Sequence, residues 1–254
     1  LNIRACFEFR ISNFEFVFQA MPDKVVGIIG GMGPEATVDL QQRVIRATPA
    51  RDDADHIRMI VDNNPQIPSR IKALIEGSGE SPVPCLQEMA RKLAAYGADL
   101  LAIPCNTAHT YFEEIQSAVP IPVLHMIDLT VGKMLAENPA LTRVGVLASR
   151  AVIMNELYPR AFRQHGIQIL YPAPEIEDRL MVAIKTVKTG RYGPKEQGAL
   201  RQAADELVAQ RAEALIIACT ELSLLAEGLN SAVPLVDTAQ VLAEEIVRLA
   251  KNRA

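Results

Sequence analysis

Leu100-Leu101-Ala102-Ile103-Pro104-Cys105-Asn106-Thr107-Ala108-His109 has a counterpart later in the chain, Ala214-Leu215-Ile216-Ile217-Ala218-Cys219-Thr220-Glu221-Leu222. In each copy a short apolar run of strand length ends in a cysteine followed by polar residues. Upstream of the first copy, Leu86, Met89, Ala90, Leu93 and Ala94 recur at helical spacing and Gly97 ends the helix. Upstream of the second, Leu200, Ala203, Ala204, Leu207 and Val208 repeat that face. The cysteines stand 114 residues apart (219 − 105), and two other landmarks keep nearly the same distance. Val26-Gly27-Ile28-Ile29 corresponds to Val144-Gly145-Val146-Leu147, and Ile121-Pro122-Val123-Leu124 to Ala232-Val233-Pro234-Leu235. A unit this long is no solenoid repeat, whose period is roughly 20–50 residues.

Strand-length apolar runs alternating with helical patterns from Lys24 onward predict an α/β protein with parallel sheets. The duplication predicts two pseudo-symmetric lobes, the first comprising residues 21–128 with 235–254 and the second 129–234. Ligands of such sheets sit beyond the carboxyl ends of the strands and between lobes. Cys105 and Cys219 both occupy that position, so pseudo-symmetry predicts two thiols entering one cleft from opposite sides. Residues 1–20 are unlike the rest and carry five of the seven phenylalanines. They are read as an extension upstream of a natural start at Met21, although the alternation Phe14–Phe18 also suits an edge strand.

The whole chain has 254 residues, 26 Lys and Arg against 30 Asp and Glu, and a net charge of −4. That mild acidity argues against a nucleic-acid partner. No apolar run approaches the roughly 18 residues of a membrane span. Its 49% hydrophobic and 22% charged residues suit an ordinary globular protein. The four cysteines, Cys6, Cys85, Cys105 and Cys219, show neither a CxxC pair nor zinc-ligand spacing, which predicts free thiols in a reducing, cytoplasmic setting. Cys85, at a helix start, reads as a small buried hydrophobe.

Two acid/base groups on opposite faces of a substrate are what inversion at carbon requires: one removes a proton and the other returns one from the far side. A cysteine with a perturbed pKa serves as either near neutral pH. A helix N-terminus after each cysteine is expected to favour the thiolate, with Asn106, Thr107 and Thr220 as capping candidates. The same neutral donors suit a substrate carboxylate. Glu221 is a candidate for setting a thiol's protonation state.

Three motifs in order, Gly30-Gly31-Met32-Gly33-Pro34-Glu35-Ala36, Pro104-Cys105-Asn106-Thr107-Ala108-His109 and Ala218-Cys219-Thr220-Glu221-Leu222, resemble those of the aspartate/glutamate racemases, over residues 23–254. The resemblance implies two flavodoxin-like lobes, a homodimer, and a cofactor-independent amino-acid racemase with no metal. It implies alternating acid/base roles for Cys105 and Cys219, with Met32 and Gly33 shaping the pocket. Ile67-Pro68-Ser69-Arg70 resembles the segment whose arginine approaches the substrate's side-chain carboxylate. Val187-Lys188-Thr189-Gly190 resembles the one that supplies a cleft lysine, with Lys185 one turn away as the alternative. Where the family often carries an Ala-Thr-x-x-Thr-like turn, this chain reads Ala148-Ser149-Arg150-Ala151; Ser149 keeps one hydroxyl for the substrate and Ala151 loses the other. His109 and His125 are expected to be orienting or structural groups.

Gly-Gly-Met-Gly-Pro and Cys-Thr-Glu-Leu favour the aspartate branch over the glutamate one. Hydantoin racemases and maleate isomerases share the two-thiol pattern. From other classes, a non-catalytic amino-acid-binding protein would not need a thiol in each lobe, and a thiol redox enzyme would be expected to place its pair in one motif. The glycine turn lacks the spacing of a dinucleotide fingerprint.

Overall fold

The computed structural model describes residues 23–251. The expectations for residues 1–20 lie outside that range. β1 (Val26–Gly30) is the centre of the first sheet, with β2 (Met59–Asn63) and β3 (Leu100–Ala102) parallel on either side. Beyond β3, Leu101 N–H donates to Pro122 O at 2.8 Å and Leu124 N–H to Leu101 O at 2.8 Å, so Val123 forms a parallel bridge in a fourth position. In the second sheet β4 (Arg143–Ala148) lies between β5 (Gln168–Leu170) and β6 (Ala214–Ala218), and β7 (Leu235–Asp237) flanks β6. Leu215 N–H donates to Pro234 O at 2.9 Å, the counterpart of the Leu101–Pro122 bond. Both halves therefore carry one parallel strand order, as the duplicated sequence predicts.

The repeated glycines are explained by strand–strand packing. A Cβ on Gly27 would lie 2.5 Å from Leu101 Cδ2, and one on Gly145 would lie 2.6 Å from Leu215 Cδ2. Each leucine crosses the central strand to reach the helix behind it, so only a glycine fits beneath. That helix is α2 (Val83–Ala95) in the first lobe, where Leu86, Met89, Ala90 and Leu93 are buried. In the second it is α8 (Pro194–Ala209), buried through Leu200, Ala203, Ala204 and Leu207. On the opposite face of the first sheet lie α1 (Pro34–Ala47) and α10 (Thr238–Ala250), with Val26, Ile28, Leu40, Leu242 and Ile246 in one cluster.

The lobes exchange their closing helices. α4 (Met126–Glu137) follows the Val123 edge of the first sheet, yet Ile127, Val131 and Met134 pack in the second lobe with Val144, Ile216, Val152 of α5 (Arg150–Met154) and Phe162 of α6 (Leu157–Phe162). α10 follows β7 of the second sheet and packs back on the first. The expected boundary shifts accordingly: Leu235–Asp237 pairs with β6 and so lies in the second sheet, while the helix after it covers the first. Among the described residues no helix is long and apolar enough to cross a membrane.

Candidate active site

Beyond the ends of β3 and β6 the two cysteines adopt nearly the same extended backbone, φ −157° and ψ 108° at Cys105, φ −153° and ψ 119° at Cys219. Cys105 leads into a tight helical turn, Asn106–Tyr111, which continues as α3 (Phe112–Gln116); Cys219 leads into α9 (Thr220–Ser223). Both cysteines are 6% exposed and border one small cavity of about 30 Å³ at the lobe junction. Met32, Arg70, Thr107, Ser149, Lys188 and Glu221 complete its chemically distinctive wall. Ser69, Ile71 and Ile184 also line it; Ser69 belongs to the Ile67–Arg70 segment singled out for its arginine, whereas Ile71 and Ile184 carried no signal of their own.

The glycine turn puts Met32 there. Gly31 has φ +96°, and a Cβ on it would lie 2.1 Å from Asn64 O, so the turn needs glycine. Thr37 fastens it, accepting from Gly31 N–H at 2.9 Å and donating to Gly33 O at 3.1 Å. Gly33 itself lines an adjoining outer cavity of about 260 Å³, together with Pro34, Glu35 and the Val187–Gly190 turn.

The environment of Cys219 departs from the expected helix-end effect. Its Sγ donates to Glu221 Oε2 at 3.1 Å. Burial pushes this thiol well above its ordinary pKa, the Glu221 charge and hydrogen bond push the same way, and Lys188 opposes them. A helix of four residues is too short to offset complete desolvation. Lys188 Nζ lies 3.4 Å from Glu221 Oε1 as an ion pair without hydrogen-bond alignment. Burial disfavours that ammonium, but Glu221 and the two cysteines outweigh it and raise its pKa. Lys185 is exposed on α7 (Pro174–Val187) and does not line the cavity.

The cavity wall shared with Cys105 also carries two hydroxyls. Thr107 Oγ1 and Ser149 Oγ are 3.3 Å apart, a hydroxyl pair reaching across the lobes. Ala151 is fully buried and outside the cavity wall, so a hydroxyl there would not face this cavity. Arg70 Nη1 donates to Pro68 O at 3.3 Å, and its buried Nε has no hydrogen-bond partner among the described residues.

Asn106 and Thr220 lie behind the thiols and hold the lobes together. Asn106 donates to Thr238 Oγ1 at 3.0 Å and accepts from Tyr158 Oη at 2.7 Å, while Thr238 donates to Ile217 O at 2.9 Å. Thr220 Oγ1 donates to Pro104 O at 3.1 Å. Asn106, Thr107 and Thr220, the expected caps, all lie inside their turns, because the cap positions are occupied by Cys105 and Cys219 themselves.

His109 braces Cys105. Cys105 O only accepts, so the 2.9 Å contact fixes the proton on His109 Nδ1, and Nε2 then accepts from Met126 N–H at 3.1 Å. Burial, with His125 nearby, lowers the His109 pKa to about 4 and keeps the ring neutral. His125 caps α4 by accepting from Asp128 N–H at 3.1 Å and stacks edge-on against Phe112.

The family profile of Asp/Glu/hydantoin racemases matches residues 29–246. The chain belongs to this family. The broad specificity amino-acid racemase RacX of Bacillus subtilis is 29% identical over 238 residues, covering 88% of this chain and 96% of that protein. Aspartate racemase from Picrophilus torridus superposes with a TM-score of 0.75 at 31% identity, over 89% of this chain and 94% of its own. Glutamate racemase RacE1 from Bacillus anthracis shares the fold, with a TM-score of 0.59 at 18% identity over 92% of this chain and 84% of its own. As an amino-acid racemase the chain is an isomerase, built as the two-lobed α/β architecture of its relatives.

Proposed function

We propose that this racemase inverts acidic amino acids, aspartate foremost, by two-base proton transfer between Cys105 and Cys219 without pyridoxal phosphate or another cofactor. The observation that carries the reading is a single cavity bordered by one thiol from each lobe and by two cations, Arg70 and Lys188. One cysteine, as thiolate, takes the α-proton; the electron pair left on carbon delocalises into the α-carboxylate. The other, as thiol, delivers its proton to the opposite face. The pair ends with thiol and thiolate exchanged, and proton exchange with water resets it.

The remaining wall suits a dicarboxylic substrate. Arg70 offers a planar donor set to a side-chain carboxylate. The Thr107 and Ser149 hydroxyls are neutral donors beside Cys105, suited to the α-carboxylate as it gains charge. Glu221 keeps Cys219 protonated until a substrate arrives, which readies it as the acid. The cavity of about 30 Å³ is smaller than an amino acid, so part of its wall must move to admit one.

The test is α-proton exchange of L-aspartate in D₂O, followed by NMR and chiral chromatography without added cofactor. Deuterium incorporation with appearance of D-aspartate is expected, and racemisation disappears in Cys105→Ala and in Cys219→Ala. Absence of exchange with aspartate, glutamate and a panel of other amino acids sinks the proposal. The outer cavity of about 260 Å³ favours a second reading, acceptance of longer side chains, which the same panel measures.

A further inference from the structure

Lys188 and Glu221 are the residues common to the walls of the inner and outer cavities, and together they divide them. Glu221 is 5% exposed, so its charge needs compensation at close range. Among the described residues, Oε2 receives only a thiol, a weak donor. Oε1 is buried and accepts no hydrogen bond among the described residues, with Lys188 Nζ 3.4 Å away in an unaligned pair. A buried carboxylate oxygen left in this condition at a cavity wall is an acceptor lacking its donor.

Two neighbours leave room for one. A Cβ on Gly33 would lie 3.6 Å from Oε1, so glycine keeps that side open. The Lys188 side chain is 35% exposed on a flexible four-carbon stem and borders the outer cavity, into which it can turn.

We propose that Glu221 Oε1 receives the ammonium group of the substrate, which takes the place of Lys188 as Lys188 turns into the outer cavity. The assignment rests on the racemase reading above. The exchange leaves Glu221 opposite one positive charge throughout, and it supplies the aligned hydrogen bond that Lys188 does not make. It also sets the register of the reaction. An ammonium about 2.8 Å from Oε1 holds the α-carbon one bond further on. Glu221 binds the Cys219 thiol through its other oxygen, so the α-carbon comes to rest beside that thiol. Glu221 is thus a substrate-positioning residue as well as the thiol's partner.

Succinate carries the same two carboxylates as aspartate and lacks the ammonium, so calorimetric titration with each ligand isolates this contact. The wild type is expected to bind L-aspartate at least about tenfold more tightly than succinate, the discrimination typical of a buried charge-assisted hydrogen bond. In Glu221→Gln the ratio falls at least about fivefold, since the charge is gone. Gly33→Ala keeps every charge and places a methyl group against Oε1. It lowers the same ratio, and it decides the matter if the Glu221 variant does not fold. A wild-type ratio retained in the folded variants overturns the assignment. Deuterium exchange measured alongside separates the two claims. Intact exchange with an unchanged ratio removes the ammonium contact alone, whereas a wild type that neither binds nor exchanges any amino acid removes the racemase reading with it.

Discussion

Replacing His109 by phenylalanine removes a buried neutral imidazole while keeping an aromatic ring among Phe112 and His125. Folding holds this histidine's pKa at about 4, against an ordinary 6.5, chiefly because burial disfavours the imidazolium. Below about pH 6.5 the unfolded chain takes up a proton that the folded chain refuses. The stability the neutral ring contributes is therefore complete above pH 6.5 and is lost as pH falls towards 4. At 1.36 kcal/mol per pH unit, the full interval is worth about 3 kcal/mol. The substitution also frees Cys105 O and Met126 N–H, at a cost of about 2 kcal/mol near neutrality. Urea unfolding of both proteins between about pH 7.5 and 4.5 measures the difference. The variant is expected to be less stable at the upper end, and the difference is expected to shift by about 2–3 kcal/mol in its favour as pH falls, enough to cancel or reverse it. His125, whose pKa burial also lowers, stays in both proteins but interacts with His109, so the pH-dependent difference belongs to the histidine pair, with His109 the fully buried member. Parallel stability curves would refute the assignment of His109 as a neutral buried brace. In the racemase assay the variant loses kcat more than KM, because the lost bond held the backbone of Cys105 rather than the substrate.

Gly27→Ala and Gly145→Ala each force a methyl group against a leucine at 2.5 and 2.6 Å, so each is expected to cost about 1–3 kcal/mol in urea unfolding. A cost below about 0.5 kcal/mol in either shows that the leucine moves aside freely. Glu221→Gln removes the charge that favours the protonated Cys219, so alkylation of that thiol, followed by peptide mass spectrometry, sets in at lower pH than in the wild type. An unchanged or higher onset contradicts the role given to Glu221. Arg70→Lys exchanges a planar donor set for a point charge and is expected to raise KM for aspartate by about tenfold or more, with a smaller change in kcat. An unchanged KM removes Arg70 from the substrate's contacts.

Much of this molecule is readable from the order of its residues, because its fold is written twice. Apolar runs at strand and helix periods, the paired glycines and the paired cysteines are local patterns, and duplication aligns them without any knowledge of distance. They determine two parallel α/β lobes and a thiol beyond the same strand of each. Tertiary packing decides the rest. That β7 joins the second sheet while the helix after it covers the first depends on which lobe offers an open apolar face. Asn106, Thr107, Thr220 and Glu221 are equally polar in sequence, yet Tyr158, Thr238 and Pro104 bind Asn106 and Thr220 into the lobe seam. Thr107 and Glu221 are left facing the cavity. The protonation of Cys219 is likewise beyond the sequence. Helix position alone favours the thiolate, but a pKa follows desolvation and the nearest charge. Both arise only when the folded chain closes over Cys219 and brings Glu221 within 3.1 Å of its sulfur.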